Sequence, residues 1–189
     1  IVGETGGKDF VMVHKSAQVE VVSTALARGA FEYQGQKCSA ASRAYIPTNL
    51  WDDVKTDLGK QLDEMKMGPV WDFSNFINPV IDKNSFDNIV SYIEYARESK
   101  DAEIIFGGEY DDSVGYFIKP TVILTSDPHF KSMEEEIFGP VLTIYVYDEE
   151  KYEETLEILD QTSPYALTGA IISQDRYAIE TAVTKLPHA

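Results

Sequence analysis

Apolar positions along this chain switch repeatedly between a period of two and a period near 3.6, the mark of strands alternating with helices. Phe10-Val11-Met12-Val13 is a short apolar run of the kind a buried strand needs, and Ser16 is placed to cap a helix whose inner face is Val19, Val22, Leu26 and Phe31. Residues 43–46 read as the next strand, stopped by Pro47. Thr48 or Asn49 can cap a second helix over about 50–67, closed by Gly68-Pro69. A third helix fits 84–98, with Phe86, Ile89, Val90 and Ile93 on one face. Strands are expected at 103–106 and 117–124, separated by the turn-rich Gly107-Gly108 and Asp111-Asp112-Ser113. A strand at 141–147, a helix at 149–159, a strand at 167–172 and a helix at 176–186 complete the pattern. Helices and strands alternate throughout, which predicts an α/β layered fold with a mostly parallel sheet.

Composition narrows the picture. With 189 residues, 43% of them hydrophobic and 12% aromatic, the chain can bury a core as one compact domain, and disorder is excluded. Sixteen Lys and Arg stand against 32 Asp and Glu, a formal net charge of −16, which disfavours a nucleic-acid partner or an anionic membrane surface. The acidic excess sits in helix faces and turns such as Asp148-Glu149-Glu150 and Glu153-Glu154, where it reads as solvated surface. A single cysteine makes neither an intramolecular disulfide nor a thiolate zinc site, so a reducing compartment is the default. The chain begins at Ile1 with neither a basic leader nor a long apolar run, and it is expected to be a domain excised from a longer protein.

Three short motifs could carry chemistry. A lone cysteine is most often a small buried hydrophobe, yet Cys38 has Gln36, Lys37 and Ser39 as neighbours, a polar setting that suits a nucleophile, and Lys37 offers a cation to a thiolate. Gly3-Glu4-Thr5-Gly6-Gly7-Lys8 is either a plain glycine-rich turn or a place where backbone approaches a ligand; it lacks the spacing of a phosphate loop. Paired with Cys38, Glu4 could act as a general base that activates water against a thioester. Glu134-Glu135-Glu136-Ile137-Phe138-Gly139-Pro140 is either an acidic turn or a site where Glu136 accepts hydrogen bonds from a ribose diol while Phe138 packs on a flat ring. His14, His129 and His188 have no spaced partners that suggest a metal site or a Cys-His dyad, and none is assigned.

Each motif is weak alone. In this order, with 34 positions from Glu4 to Cys38 and the Glu136 motif further on, they resemble the catalytic domain of the NAD(P)-dependent aldehyde dehydrogenase superfamily over essentially the whole chain. Thr5, the strings 37–43 and 132–142, and Ser163-Pro164-Tyr165-Ala166-Leu167-Thr168-Gly169-Ala170 most resemble the branch that oxidises L-glutamate γ-semialdehyde, the open form of Δ1-pyrroline-5-carboxylate, to L-glutamate in proline catabolism. The resemblance implies a three-layer α/β/α catalytic domain spanning 1–189, with NAD as cofactor and a small aldehyde as substrate. It implies that Cys38 attacks the aldehyde, Glu4 activates the hydrolytic water, Glu136 holds the nicotinamide ribose with Phe138 nearby, and Ser39 contacts the substrate's α-carboxylate. An oxyanion would be held by the Cys38 backbone N–H and an Asn from an upstream segment. That Asn, the cofactor-binding domain and a substrate-anchoring loop would lie outside these residues, so the 189 residues alone are expected to bind NAD weakly or not at all and to be inactive. A homo-oligomeric parent is implied, in the cytoplasm if bacterial and the mitochondrial matrix if eukaryotic. A different aldehyde substrate, or a non-catalytic oligomerisation or regulatory module of the same fold, are the competing readings.

Overall fold

Successive residues of a strand face opposite ways, so a strand that is apolar at every position needs cover on both sides. The first strand, β1 (Phe10–Val13), is buried at all four positions. The computed structural model describes residues 1–3, 6–164 and 167–186. In it β1, β2 (Arg43–Pro47), β3 (Ala102–Phe106), β6 (Thr121–Thr125), β7 (Val141–Tyr147) and β8 (Gly169–Ile172) form a six-stranded sheet in the order β3-β6-β7-β2-β1-β8. All neighbours run parallel except β3, which is antiparallel to β6 at one edge. Phe10 and Met12 of β1, with Tyr45 of β2, point into a core shared with α3 (Lys83–Glu98), α5 (Tyr152–Thr162) and α6 (Arg176–Lys185). Val11 and Val13, with Ala44 and Ile46, point the other way, onto α1 (Val19–Phe31) and α2 (Thr48–Glu64). The result is the expected three-layer α/β/α arrangement. Val22, Leu26, Leu58 and Ile93 are wholly shielded from water, each worth roughly 1.5–3 kcal/mol by burial of apolar area. Among the described residues no helix is long and apolar enough to cross a membrane.

Several element boundaries differ from the periodicity, each for a local reason. Ser16 does not cap α1: its Oγ accepts the backbone N–H groups of Gln174 and Asp175 (3.0 and 3.1 Å), tying the turn after β8 to β1, and α1 starts from Gln18 without a side-chain cap. Neither Thr48 nor Asn49 caps α2, which begins at Thr48 from an extended Pro47, because Thr48 Oγ1 donates to the Tyr147 carbonyl (2.7 Å). That helix ends at Glu64, and Met67 instead bridges to Ile77. The single strand expected over 117–124 is two, since Pro120 has no N–H to continue a ladder. Its first part, β5 (Phe117–Ile118), pairs with β4 (Tyr110–Asp111) in a small hairpin drawn from the segment read as turn. Helix α5 starts three residues late, at Tyr152, because Asp148 forms an Asx turn, its Oδ1 accepting from Glu150 N (3.0 Å). A short helix, α4 (Lys131–Glu134), had no periodic signal.

Two aspartates that periodicity did not single out cap helices. Asp82 accepts from Ser85 N (2.8 Å) at the start of α3, and Asp175 accepts from Tyr177 N (2.8 Å) at the start of α6. Asp82→Ala is expected to lower stability by about 1 kcal/mol, read as a lower urea midpoint at unchanged slope, while Asp82→Ser retains most of it.

Candidate active site

Strands β7, β2 and β1 are parallel neighbours, so the segments entering their amino ends lie side by side. Those three segments carry the three motifs: Glu136 and Phe138 before β7, Cys38 and Ser39 before β2, and Gly6-Gly7-Lys8 before β1. Gly7, Cys38, Ser42, Glu136 and Phe138 line one cleft at this edge. The loops meet backbone to backbone. A Cβ at Gly7 would stand 2.9 Å from the Cys38 carbonyl oxygen and 3.5 Å from Glu136 Oε1, and one at Gly35 would stand 2.3 Å from the Gly139 carbonyl oxygen. Any side chain at Gly7 or Gly35 would push the walls of the cleft apart.

Cys38 is exposed rather than packed in the core, so it is not the small buried hydrophobe that a lone cysteine most often is. It follows a 3₁₀ turn, Glu32–Gly35, in which Tyr33, Gln34 and Gly35 all have positive φ (56°, 57° and 66°), a conformation costly for the two that carry side chains. Side-chain hydrogen bonds hold that turn: Gln34 Oε1 accepts from Asn78 N (3.0 Å) and Gln36 Oε1 from Ile81 N (2.9 Å). The cation expected beside Cys38 is otherwise engaged, because Lys37 Nζ donates to Glu32 Oε2 (2.7 Å). Ser39 is exposed next to Cys38 and is not among the residues lining the cleft. Glu4 lies outside the described residues.

The three consecutive glutamates are sorted by their partners. Glu134 meets the His129 ring (3.0 Å), Glu135 accepts from Tyr92 Oη of α3 (2.6 Å), and Glu136 lines the cleft. Burial and the Glu135 carboxylate both push the Tyr92 phenol well above its ordinary range, so it stays a donor. Phe138 has φ 59° and is 43% exposed, a strained backbone that turns a large ring outward.

Behind the cleft lies a group of buried charges that pattern reading missed, since a charged residue beside a strand ordinarily reads as surface. Lys8, Asp9 and Arg43 are all buried. Arg43 Nε donates to the Lys8 carbonyl (3.1 Å), its Nη1 donates to Tyr45 Oη (3.0 Å) and the Leu159 carbonyl (3.1 Å), and its guanidinium lies over the Phe10 ring. Asp9 Oδ1 accepts from Leu167 N (3.2 Å) and Thr168 N (2.9 Å), which is why β8 starts at Gly169 instead of 167. Lys8 Nζ donates to Ser42 Oγ (2.5 Å). The one available signal was adjacency, Lys8-Asp9 leading straight into an all-apolar strand.

An exposed thiol, a carboxylate and an outward ring on one cleft wall suit covalent chemistry on a carbonyl next to a diol-bearing cofactor. Residues 1–188 match the profile of the Aldehyde dehydrogenase family. The chain belongs to that family. It is 65% identical to the mitochondrial Δ1-pyrroline-5-carboxylate dehydrogenase of Dictyostelium discoideum over 189 residues, covering 100% of this chain and 34% of the relative. To the mitochondrial enzyme of the same name from Homo sapiens it is 48% identical, covering 100% of this chain and 34% of that one. The crystal structure of the Δ-pyrroline-5-carboxylate dehydrogenase from Mycobacterium tuberculosis bound with NAD superposes with a TM-score of 0.91 at 48% identity, over 98% of this chain and 34% of that chain. The chain thus spans about a third of the length of the relatives it matches.

In this aldehyde dehydrogenase family member the Gly35–Gly139 contact can be tested directly. Gly35→Ala places a methyl group into the Gly139 carbonyl at a positive φ and is expected to cost at least about 2 kcal/mol in urea unfolding. Gly3→Ala, where nothing lies within 4 Å of the added Cβ, is expected to be neutral.

Proposed function

We propose that this chain supplies the catalytic part of an NAD-dependent aldehyde dehydrogenase that oxidises L-glutamate γ-semialdehyde to L-glutamate. The observation that carries the reading is the meeting of Cys38, Glu136 and Phe138 on one cleft against Gly7, in a chain 65% and 48% identical to Δ1-pyrroline-5-carboxylate dehydrogenases. The residues present fit the nicotinamide-ribose end of NAD. Glu136 offers a carboxylate to a vicinal diol, Phe138 an exposed ring face, and Gly7 leaves open the space a Cβ would fill between the Cys38 carbonyl and Glu136.

The chain's own groups then have separable tasks. Cys38 Sγ attacks the aldehyde carbon, forming a C–S bond and a tetrahedral oxyanion that the Cys38 backbone N–H helps to hold. When bound, NAD supplies the hydride acceptor that turns this adduct into a thioester. Glu4 takes a proton from the water that attacks the thioester carbon, and the C–S bond breaks to release the acid and free Cys38. Ser39, exposed beside the nucleophile, is placed by the same reading at the substrate's α-carboxylate. A site built to hydrogen-bond an amino-acid head group discriminates strongly against an alkyl aldehyde that leaves those groups unpaired. The cofactor-binding domain and the upstream Asn are assigned to the part of the relatives' length that this chain does not span.

The deciding assay is NADH production by the full-length chain that carries these residues, from glutamate semialdehyde and from propanal in parallel. Activity favouring the semialdehyde by about a hundredfold or more in kcat/KM, lost in Cys38→Ala with NAD binding retained, is the expected result. Cys38-dependent activity with comparable preference for propanal overturns the substrate assignment alone, and no activity with either overturns the dehydrogenase reading. For Glu4→Gln, a burst of NADH followed by turnover slowed about a hundredfold or more is expected, because deacylation becomes limiting. Steady-state turnover equal to that of the unmutated chain would remove Glu4 from the role of base.

A further inference from the structure

Consecutive non-glycine residues at positive φ are rare, because each side chain crowds its own backbone. Tyr33 and Gln34 are such a pair, directly ahead of Gly35, and the nucleophile of the proposed reaction stands four positions beyond Gln34. Strain of this kind persists where neighbouring groups over-determine the backbone, and it clusters where function depends on geometry. Whatever holds this turn also sets where Cys38 stands.

Downstream of Cys38 the chain is fixed by main-chain bonds. Ala41 N donates to the Gly29 carbonyl (2.9 Å), and Ser42 N and Arg43 N donate to the Asp9 carbonyl (3.2 and 3.3 Å). Upstream, among the described residues, the hydrogen bonds that tie residues 32–37 to a distant segment are those of two glutamine side chains. Gln34 Oε1 accepts from Asn78 N (3.0 Å) and Gln36 Oε1 from Ile81 N (2.9 Å). The segment that donates is itself well fixed. Ile77 and Val80, on either side of Asn78-Pro79, are buried in the cores on opposite faces of the sheet. Phe76 N and Ile77 N donate to the Lys66 carbonyl (2.9 and 3.0 Å), Asn78 Nδ2 to the Gly68 carbonyl (2.9 Å), and Val80 N to the Tyr116 carbonyl (2.9 Å). Residues 66–81 are thus a closed strap between α2 and α3, gripped by Gln34 and Gln36. A methionine fills a volume similar to that of a glutamine, but packing lacks the direction of a hydrogen bond and would not fix the turn to one amide.

We propose that Gln34 and Gln36 are positioning residues for the nucleophile: bonded to the amides of Asn78 and Ile81, they hold the strained turn so that the Cys38 thiol and backbone N–H stand at the cleft. The proposal rests on the reading of Cys38 as the nucleophile. Released from the strap, the turn relaxes toward negative φ and carries the thiol away from the cleft.

The test is single-turnover NADH formation by the full-length chain, with enzyme in excess over glutamate semialdehyde and NAD saturating, which reads the steps up to the thioester and not its hydrolysis. Gln36 is the residue to change, since it is half-buried whereas Gln34 lies in the interior. Gln36→Met is expected to slow NADH formation about tenfold, because a misplacement of about 1 Å can cost about a hundredfold. The slowing is expected to be equal across the pH profile, with the Kd of NAD changed less than about twofold, as displacement of an otherwise unaltered thiol requires. Asparagine adopts positive φ more readily than tyrosine, so Tyr33→Asn added to Gln36→Met is expected to recover about threefold or more of the rate, and alone to change it less than about twofold. Gln36→Asn keeps the amide group one methylene short of Ile81 N, is expected to behave as Gln36→Met does, and carries the test should the methionine variant not fold. An unchanged rate in both Gln36 variants, a loss that Tyr33→Asn does not lessen, a shifted pH profile, or a Kd of NAD raised as much as the rate falls overturns the proposal while the proposed dehydrogenase stands. NADH formed equally by Cys38→Ala, or none formed by the unmutated chain, overturns the reading of Cys38 and the proposal with it.

Discussion

At the amino edge of the sheet, backbone packs on backbone with no room for a side chain. An added Cβ at Gly7 would come within 2.9 Å of the Cys38 carbonyl oxygen, and one at Gly35 within 2.3 Å of the Gly139 carbonyl oxygen. Those two contacts join the loops before β1, β2 and β7 into one wall, and the positions of Cys38, Glu136 and Phe138 all follow from it. The cost is local strain, seen in the positive φ values of Tyr33, Gln34 and Phe138. It is offset by bonds that over-determine the loops, among them Gln34 and Gln36 on the backbone of 78–81 and Asp9 on that of 167–168.

Open α/β sheets generally bind ligands beyond the carboxyl ends of their strands. Here hydrogen bonds between elements tie those ends together. Tyr147 Oη donates to the Val13 carbonyl (2.5 Å), Thr48 Oγ1 to the Tyr147 carbonyl (2.7 Å), and Ser16 joins the turns after β1 and β8. The candidate site lies at the opposite edge, over the buried charges Lys8, Asp9 and Arg43. A buried charge is tolerated when its hydrogen bonds are made in good geometry, and Arg43 illustrates this with donors to Lys8, Tyr45 and the carboxyl-terminal turn of α5. Such a network is stiff because breaking any one bond leaves an uncompensated charge out of water.

Much of the fold was legible from local pattern. Continuous apolar runs marked β1, β2 and β7 as strands covered on both faces, and the 3.6-residue period marked α1, α2 and α3 with their inner faces. Boundaries were less legible wherever a side chain made a distant bond in place of a local one. Ser16 and Thr48 look like caps in sequence, but each bonds to a chain segment more than ninety residues away. Which of Glu134, Glu135 and Glu136 faces the cleft was likewise settled by partners brought from elsewhere, His129 for the first and Tyr92 of α3 for the second.

By itself the sequence determined the class of architecture, the order of its elements and the three motifs, because hydrophobic period and glycine placement are local properties of a chain. Only the tertiary structure brought Gly7, Cys38, Glu136 and Phe138 of these motifs to one cleft, since the β7-β2-β1 neighbour relation is set by sheet packing across a hundred residues of sequence. It also decided that Cys38 is exposed, that Lys37 belongs to Glu32, and that Lys8, Asp9 and Arg43 are buried. Burial of a charge depends on which distant hydrogen-bond partners meet it, and no local period records that.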